Sequence, residues 1–106
     1  GEQRRVALAG LLVLKPKLLL LDEPTSGLDP LAATELRTLV ETYRGTTGAT
    51  CLWATHDLHS LPSGAERIIL LREGRVVFDG PSREGLSEEW LVRAGLMAPQ
   101  NKEHGC

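Results

Sequence analysis

The stretch LLLLDEPTSGLD, residues 18–29, decides the fold of this chain. Its first four residues, all leucines, form a short, uninterrupted apolar run, which is typical of a parallel β-strand that is buried on both faces. The segment PTSG, residues 24–27, then predicts a turn. Asp29 followed by Pro30 predicts the start of a helix, because aspartate favours the N-cap and proline the first helical position. The stretch therefore predicts a strand, a turn and a helix in succession.

A second strand is predicted after that helix. Gly45 and Gly48 are expected to bracket the end of the helix. Residues 49–55 have the composition of a buried strand, and the polar pair His56-Asp57 follows at once. Strand, helix and strand make a βαβ unit, in which ligands bind at the carboxyl ends of the parallel strands. Within the helix, residues 31–44, the apolar side chains recur at the spacing of one face, at Leu36, Leu39, Val40 and Tyr43.

The flanking segments extend this pattern at both ends. The predicted fold class is α/β, with parallel strands, flanking helices and a C-terminal hairpin. Local patterns predict four further features: a helix over residues 3–14 that Lys15-Pro16 ends, a β-hairpin formed by residues 68–71 and 76–78 around Glu73-Gly74, an amphipathic helix over residues 87–94, and a frayed tail over residues 98–106.

The composition restricts the class of protein. Of 106 residues, 42% are hydrophobic and 25% charged, which is typical of a globular chain with at most one domain. The formal net charge of −2 gives no general attraction to nucleic acid or anionic lipid. No apolar run reaches the length of a membrane span, so we expect a cytoplasmic chain. The two cysteines, Cys51 and Cys106, have neither metal-ligand spacing nor a disulfide pattern.

Two carboxylates, Asp22 and Glu23, follow the leucine run directly. The end of a buried strand is a rigid platform. In phosphoryl transfer one acid at such a place holds Mg²⁺, and another orients and deprotonates the attacking water. We assign the first role to Asp22 and the second to Glu23. The competing interpretation is a strand that simply leaves the core through solvated acidic residues, and this pair alone does not decide between the two.

Three segments together resemble ATP-binding-cassette (ABC) ATPases. Residues 18–29 resemble the Walker B segment and D-loop of that family, and residues 54–57, ATHD, resemble its switch-histidine region. Residues 1–9 resemble the last two residues of the family's signature motif and the helix behind it. The resemblance extends over residues 1–81 and implies the C-terminal part of a P-loop NTPase domain with a RecA-like core. Residues 82–106 would then form a C-terminal helix and tail.

The resemblance also implies a role for each matching residue. Glu23 corresponds to the catalytic base, and His56 to the catalytic histidine that contacts the γ-phosphate and the attacking water. Asp22 corresponds to the acid that holds the metal, so ATP and Mg²⁺ are the implied cofactors. A helix N-terminus favours an anion, which agrees with a phosphate contact at the start of the chain. The residues implied to contact the nucleotide are Gly1, Glu2, Ser26, Gly27 and Asp29.

The sequence departs from the family in one respect. No phosphate-binding loop of the form G-x-x-x-x-G-K-[ST] occurs among the 106 residues, the first of which is Gly1. Without the backbone amides and lysine of such a loop, nothing fixes a triphosphate in line with the activated water. We therefore expect these residues to be a C-terminal fragment that does not hydrolyse ATP alone.

The implied biological role is that of the ATP-hydrolysing subunit of an ABC transporter. Residues 4–10 and 68–80 are most similar to cobalt-type and vitamin importers of the energy-coupling group. The implied partners are a second ATPase subunit and membrane permease subunits, with no nucleic acid, at the inner face of the cell membrane. Two alternatives stay open: a non-enzymatic truncated remnant, and a soluble cassette protein that acts on ribosomes or DNA. Long basic or coiled insertions would mark the latter, and this sequence has none.

Overall fold

The computed structural model describes residues 2–99. The chain divides into two compact units, Gly1–Gly64 and Ala65–Cys106. Gly1, His104, Cys106 and the fraying expected beyond residue 99 lie outside the described residues. The predicted boundary at residue 81 marks the end of a family domain. The division into compact units does not test that boundary, so it stays a prediction.

The first unit is built on a pair of parallel strands. In chain order it contains α1 (Glu2–Val13), β1 (Leu18–Asp22), α2 (Pro30–Thr47), β2 (Thr50–Ala54) and a single 3-10 turn, Leu58–Ser60. The two strands pair in parallel, with Leu18 opposite Thr50 and Asp22 opposite Ala54. The predicted order of strand, helix and strand is confirmed, and with it the α/β class.

Both ends of α2 follow from local chemistry. The Asp29 carboxylate accepts a hydrogen bond from the Ala32 backbone N–H at 2.8 Å, as predicted for an N-cap, which contributes about 1 kcal/mol to a helix. Gly48 closes the helix in the left-handed region at φ 73°, and its N–H donates to the Arg44 carbonyl. The expectation that Gly45 also marks the end is wrong. Gly45 lies inside α2 because a helical glycine costs only about 1 kcal/mol, whereas the left-handed cap requires a residue such as Gly48.

The core of the first unit lies on one face of the strand pair. Leu8 of α1, Leu19 of β1, and Leu36 and Val40 of α2 form a buried cluster. The prediction that β1 is buried on both faces is wrong for the described residues, because both helices pack on the face that carries Leu19. On the opposite face, the exposed fractions are 54% for Leu18, 66% for Leu20 and 55% for Leu52.

The second unit contains the predicted hairpin. Strands β3 (Arg67–Arg72) and β4 (Arg75–Pro81) pair in an antiparallel manner, with Arg72 opposite Arg75. The two turn residues, Glu73 and Gly74, have φ values of 51° and 76°. Two consecutive left-handed residues define the type I′ turn, which matches the right-handed twist of the paired strands.

Two short helices pack on the hairpin, α3 (Ser82–Gly85) and α4 (Glu88–Arg93). The first was not predicted. Gly85 is buried, and a Cβ at this position would lie 2.6 Å from Phe78 Cε1, so the helix backbone contacts the hairpin directly. The predicted helix over residues 87–94 is confirmed as α4 with its caps, and the Trp90 and Phe78 rings lie 5.1 Å apart.

Candidate functional site

The carboxyl ends of β1 and β2 bring two sequence-distant segments together. Asp22 and Ala54 are opposite each other at the last register position, so Glu23 and Thr55 leave the two strands side by side. The Glu23 N–H donates to the Ala54 carbonyl at 2.7 Å. Glu23 has a φ of 47°, in the left-handed region that costs a non-glycine residue about 1–2 kcal/mol. The chain turns sharply here, and the Glu23 side chain contacts the residues that follow β2.

The Glu23 carboxylate is held by three hydrogen bonds from those residues. Oε2 accepts from the Thr55 hydroxyl at 2.9 Å. Oε1 accepts from the His56 backbone N–H at 2.8 Å and lies 2.5 Å from His56 Nδ1. The Glu23 side chain is 31% exposed, whereas that of His56 is 85% exposed. The two residues predicted to be catalytic are therefore in direct contact, with the carboxylate half-covered and the imidazole in solvent.

These contacts lower the pKa of Glu23. The largest cause is the hydrogen bond from the His56 backbone N–H; partial desolvation opposes it, and the His56 ring and the Thr55 hydroxyl lower the pKa further. Because the pKa is lower when folded, these bonds stabilise the fold above the ordinary carboxylate pKa and lose this effect as the pH falls through the lowered value. At neutral pH Glu23 is ionised and can accept a proton.

The loop after Glu23 is fixed by turns and by one arginine. The Ser26 N–H donates to the Glu23 carbonyl at 3.2 Å, and Gly27 has a φ of 76°. Arg4 of α1 donates from Nη1 to the Pro24 carbonyl at 2.9 Å and to the Ser26 carbonyl at 2.5 Å. The predicted nucleotide contacts Ser26 and Gly27 thus lie in a loop that is tied to the first turn of α1.

Replacing Arg4 by alanine is expected to loosen this loop, because the Pro24 and Ser26 carbonyls lose a charged donor. Amide hydrogen exchange at residues 25–28 of the full-length protein should become faster by roughly tenfold, as expected for a lost hydrogen bond to a charged group. The matched control is Arg5→Ala, since Arg5 pairs with Glu35 of α2 instead. Equal exchange in both variants would contradict a specific role of Arg4.

Comparison with known proteins identifies the chain's family. A family model described as "AAA domain, putative AbiEii toxin, Type IV TA system" matches residues 1–61. The chain belongs to this AAA-domain family.

Relatives of this AAA-domain chain bear out the resemblance to ABC proteins. The energy-coupling factor transporter ATP-binding protein EcfA2 of Clostridium perfringens is 40% identical over 93 residues, 88% of this chain and 33% of that protein. The nickel import ATP-binding protein NikO of Rhodobacter capsulatus is 41% identical over 101 residues, 93% of this chain and 40% of that protein. The chain therefore spans well under half the length of these curated relatives.

A solved structure supports the same fold. CbiO1 of Clostridium perfringens, described as part of the ABC transporter complex CbiONQ, superimposes with a TM-score of 0.70 at 40% identity. The match covers 84% of this chain and 36% of that one. The predicted resemblance to ABC ATPases of the energy-coupling and cobalt type is confirmed, and so is the fold class.

The other predicted site residues of this AAA-domain chain are more exposed than Glu23. Glu2 lies in the first turn of α1 with its side chain 89% exposed, 3.7 Å from Arg5 Nη1. The Asp29 carboxylate is used by the α2 cap. Gly1 lies outside the described residues, so the phosphate contact at the start of α1 stays a prediction, as do the nucleotide contacts of Ser26, Gly27 and Asp29.

The surroundings of Asp22 decide whether it suits a Mg²⁺ ion. Its carboxylate is exposed at the end of β1, next to Glu23. Mg²⁺ is commonly held by one or two carboxylates together with waters and substrate phosphates, rather than by an all-protein cage. Among residues 2–99 no group of three or more His, Cys, Asp or Glu residues is placed to hold a metal. One exposed carboxylate fits Mg²⁺ that arrives with a nucleotide.

Sequence reasoning missed three residues that hold the site together. Thr55 was recognised only as part of the ATHD segment, although a hydroxyl directly before His56 is a visible signal. Ser60 contacts Thr55, and Arg4 contacts the loop from 20 and 22 residues away. The last two contacts depend on how the strands and α1 pack, and no local pattern predicts them.

Proposed function

We propose that the chain is the hydrolysis-bearing part of the ATPase subunit of an ABC transporter, which energises import of a small solute such as nickel, cobalt or a vitamin. One observation carries the proposal: Glu23 lies at the carboxyl end of β1 and contacts His56, which follows the neighbouring strand. The names of the relatives support ATP binding and import. The whole protein would hold ATP through a phosphate-binding loop that residues 1–106 do not contain.

The arrangement suits water activation. An ionised carboxylate offers about four acceptor positions, two on each oxygen. Both positions on Oε1 are taken, by the His56 backbone N–H and by Nδ1, and one on Oε2 is taken by Thr55. The remaining position on Oε2 would accept the proton of the water whose oxygen attacks the γ-phosphorus. The bond from that phosphorus to the ADP oxygen breaks, and ADP and phosphate leave.

His56 has a second function in this proposal. With Nδ1 donating to Glu23, the ring presents Nε2 to solvent, and a protonated ring donates from Nε2 to a phosphate oxygen. Asp22 would hold Mg²⁺. When bound, this ion would neutralise charge on the phosphates. A nucleotide held mainly by a second ATPase subunit would be contacted by the remaining predicted site residues: Gly1, Glu2, Ser26, Gly27 and Asp29.

Partners and location form the finer part of the proposal. The neighbour CbiO1 is described as part of an ABC transporter complex, which supports permease subunits as partners. The second ATPase subunit is proposed from the resemblance to ABC ATPases alone. Among residues 2–99 no helix is long and apolar enough to cross a membrane. We assign the protein to the cytoplasmic face of the membrane, where permease subunits would hold it.

The proposal is tested by replacing His56 with alanine in the full-length protein. Turnover of ATP is expected to fall by about 10²-fold, the lower end for a group that acts on the transferred proton or phosphate, while ATP affinity changes little. The matched control is His59→Ala, a nearby histidine without contact to Glu23. Equal losses of binding and turnover would indicate a structural role for His56, and full-length wild-type protein without turnover would favour a non-enzymatic remnant.

A further inference from the structure

A pair of hydroxyl groups lies behind the Glu23 carboxylate. Thr55 Oγ1 is 2.9 Å from Glu23 Oε2, 3.0 Å from the Asp57 backbone nitrogen and 2.8 Å from Ser60 Oγ. Ser60 Oγ is also 2.9 Å from the Asp57 carbonyl oxygen. These contacts connect Glu23, the residue predicted to accept a proton, with Ser60, which is distant from it in the sequence.

The direction of each hydrogen bond follows from what each group can donate. A hydroxyl has one proton and two acceptor positions. The ionised Glu23 can only accept and the Asp57 N–H can only donate, so the Thr55 proton points to Glu23 Oε2. The remaining acceptor position of Thr55 then faces Ser60, whose single hydroxyl proton is shared between Thr55 Oγ1 and the Asp57 carbonyl oxygen. Ser60 therefore fixes the orientation of the Thr55 hydroxyl.

The environment of Ser60 supports a specific role. Its residue surface is 7% exposed, and only Ser60 and Thr25 are buried polar residues in the described part of the chain. A buried hydroxyl is unfavourable unless it is hydrogen-bonded, and the partners of Ser60 Oγ are Thr55 and the Asp57 carbonyl. The turn that carries it, Leu58–Ser60, is capped by the Asp57 side chain, which accepts from the His59 N–H at 2.9 Å.

We propose that Ser60 and Thr55 form a hydroxyl relay that positions Glu23 Oε2, the oxygen left to accept the proton of the attacking water. This inference rests on the proposed function. Thr55 occupies one acceptor position of Oε2 and thereby orients the other. Ser60 is a positioning residue that acts through Thr55. His56 holds the other oxygen, so the segment that follows β2 fixes both oxygens of the carboxylate.

The test uses the full-length ATPase and its single-turnover rate of phosphate release. Thr55→Val keeps the side-chain shape but removes the donor, and we expect the rate to fall roughly tenfold with the ATP affinity unchanged. Ser60→Ala should lower the rate by about threefold, since Thr55 keeps its own bond but loses its orientation. Thr55→Ser retains the hydroxyl and should restore most of the rate. Ser63→Ala, which removes an exposed hydroxyl from the same segment, is the matched control.

A double-mutant cycle separates the relay from a structural effect. If Ser60 acts through Thr55, Ser60→Ala has no further effect on the rate in the Thr55→Val background. Independent, multiplying losses would overturn the relay, and so would a Thr55→Ser variant as slow as Thr55→Val. Glu23→Gln distinguishes a failure of the proposed function from a failure of the relay alone. If Glu23→Gln leaves the rate unchanged, the proposed function itself fails. If it abolishes hydrolysis while the Thr55 variants hydrolyse at the wild-type rate, only the relay fails.

Discussion

Glu23→Gln in the full-length protein is expected to lower the rate of ATP hydrolysis by about 10²–10⁴-fold, the range that general-base catalysis contributes. Glutamine keeps the length and shape of the side chain, and its oxygen can still accept from the His56 backbone. Its amide nitrogen replaces the oxygen that contacts Thr55 and cannot accept a proton. ATP affinity should therefore change little, and a dimer with bound ATP should accumulate. Phosphate release and equilibrium ATP binding measure the two effects separately.

The same chemical change elsewhere provides the control for Glu23. Glu41→Gln removes one carboxylate from α2 and is expected to leave the hydrolysis rate within about twofold, because substitutions away from special structural features usually have small effects. Unchanged turnover in Glu23→Gln would refute the assignment of Glu23 as the base. A parallel loss of ATP binding would indicate instead that Glu23 supports the structure of the loop over residues 24–29.

Leu36→Ala is expected to have a large effect on the stability of the first unit. Leu36 is 1% exposed and belongs to the buried cluster between the helices and β1. Removing three buried carbons leaves a cavity and should lower the free energy of unfolding by about 2–5 kcal/mol. Because α2 connects the two strands, the loss would also loosen the pairing that brings Glu23 and His56 together.

Leu31 offers a control in the same helix, since it is 69% exposed. Leu31→Ala should change the free energy of unfolding by less than about 0.5 kcal/mol, because it removes an exposed side chain. Denaturant titration of the two full-length variants, with the same probe and conditions, provides the comparison. A smaller loss for Leu36→Ala than for Leu31→Ala would contradict the position of the core.

Much of the fold could be predicted because its signals are local. The leucine run before Asp22, the Asp29-Pro30 start of α2 and the turn Glu73-Gly74 each specify a backbone conformation within a few residues. The error at Gly45 arose from a real ambiguity: two glycines lay near the end of the helix, and only packing and capping select between them. The exposure of Leu18 and Leu20 depends on what covers the strand, which local sequence does not contain.

The candidate site was predictable only in part. Parallel strands place their carboxyl ends at the same edge, and so the proximity of Glu23 and His56 could be expected before the structure. The hydrogen bonds that hold the carboxylate depend on the register of β1 and β2 and on the left-handed backbone of Glu23. The contacts of Ser60 and Arg4 depend on tertiary packing, so their importance became visible only in the structure.

DNA sequencing of the region upstream of the Gly1 codon tests the central claim most directly. If this chain is the hydrolysis-bearing part of an ABC ATPase, the in-frame sequence must supply Leu-Ser-Gly immediately before Gly1, which completes the signature motif. A phosphate-binding loop of the form G-x-x-x-x-G-K-[ST] must lie further upstream. A stop codon or a frameshift before such a loop would contradict the claim, and the positions of Glu23 and His56 would then reflect ancestry rather than activity.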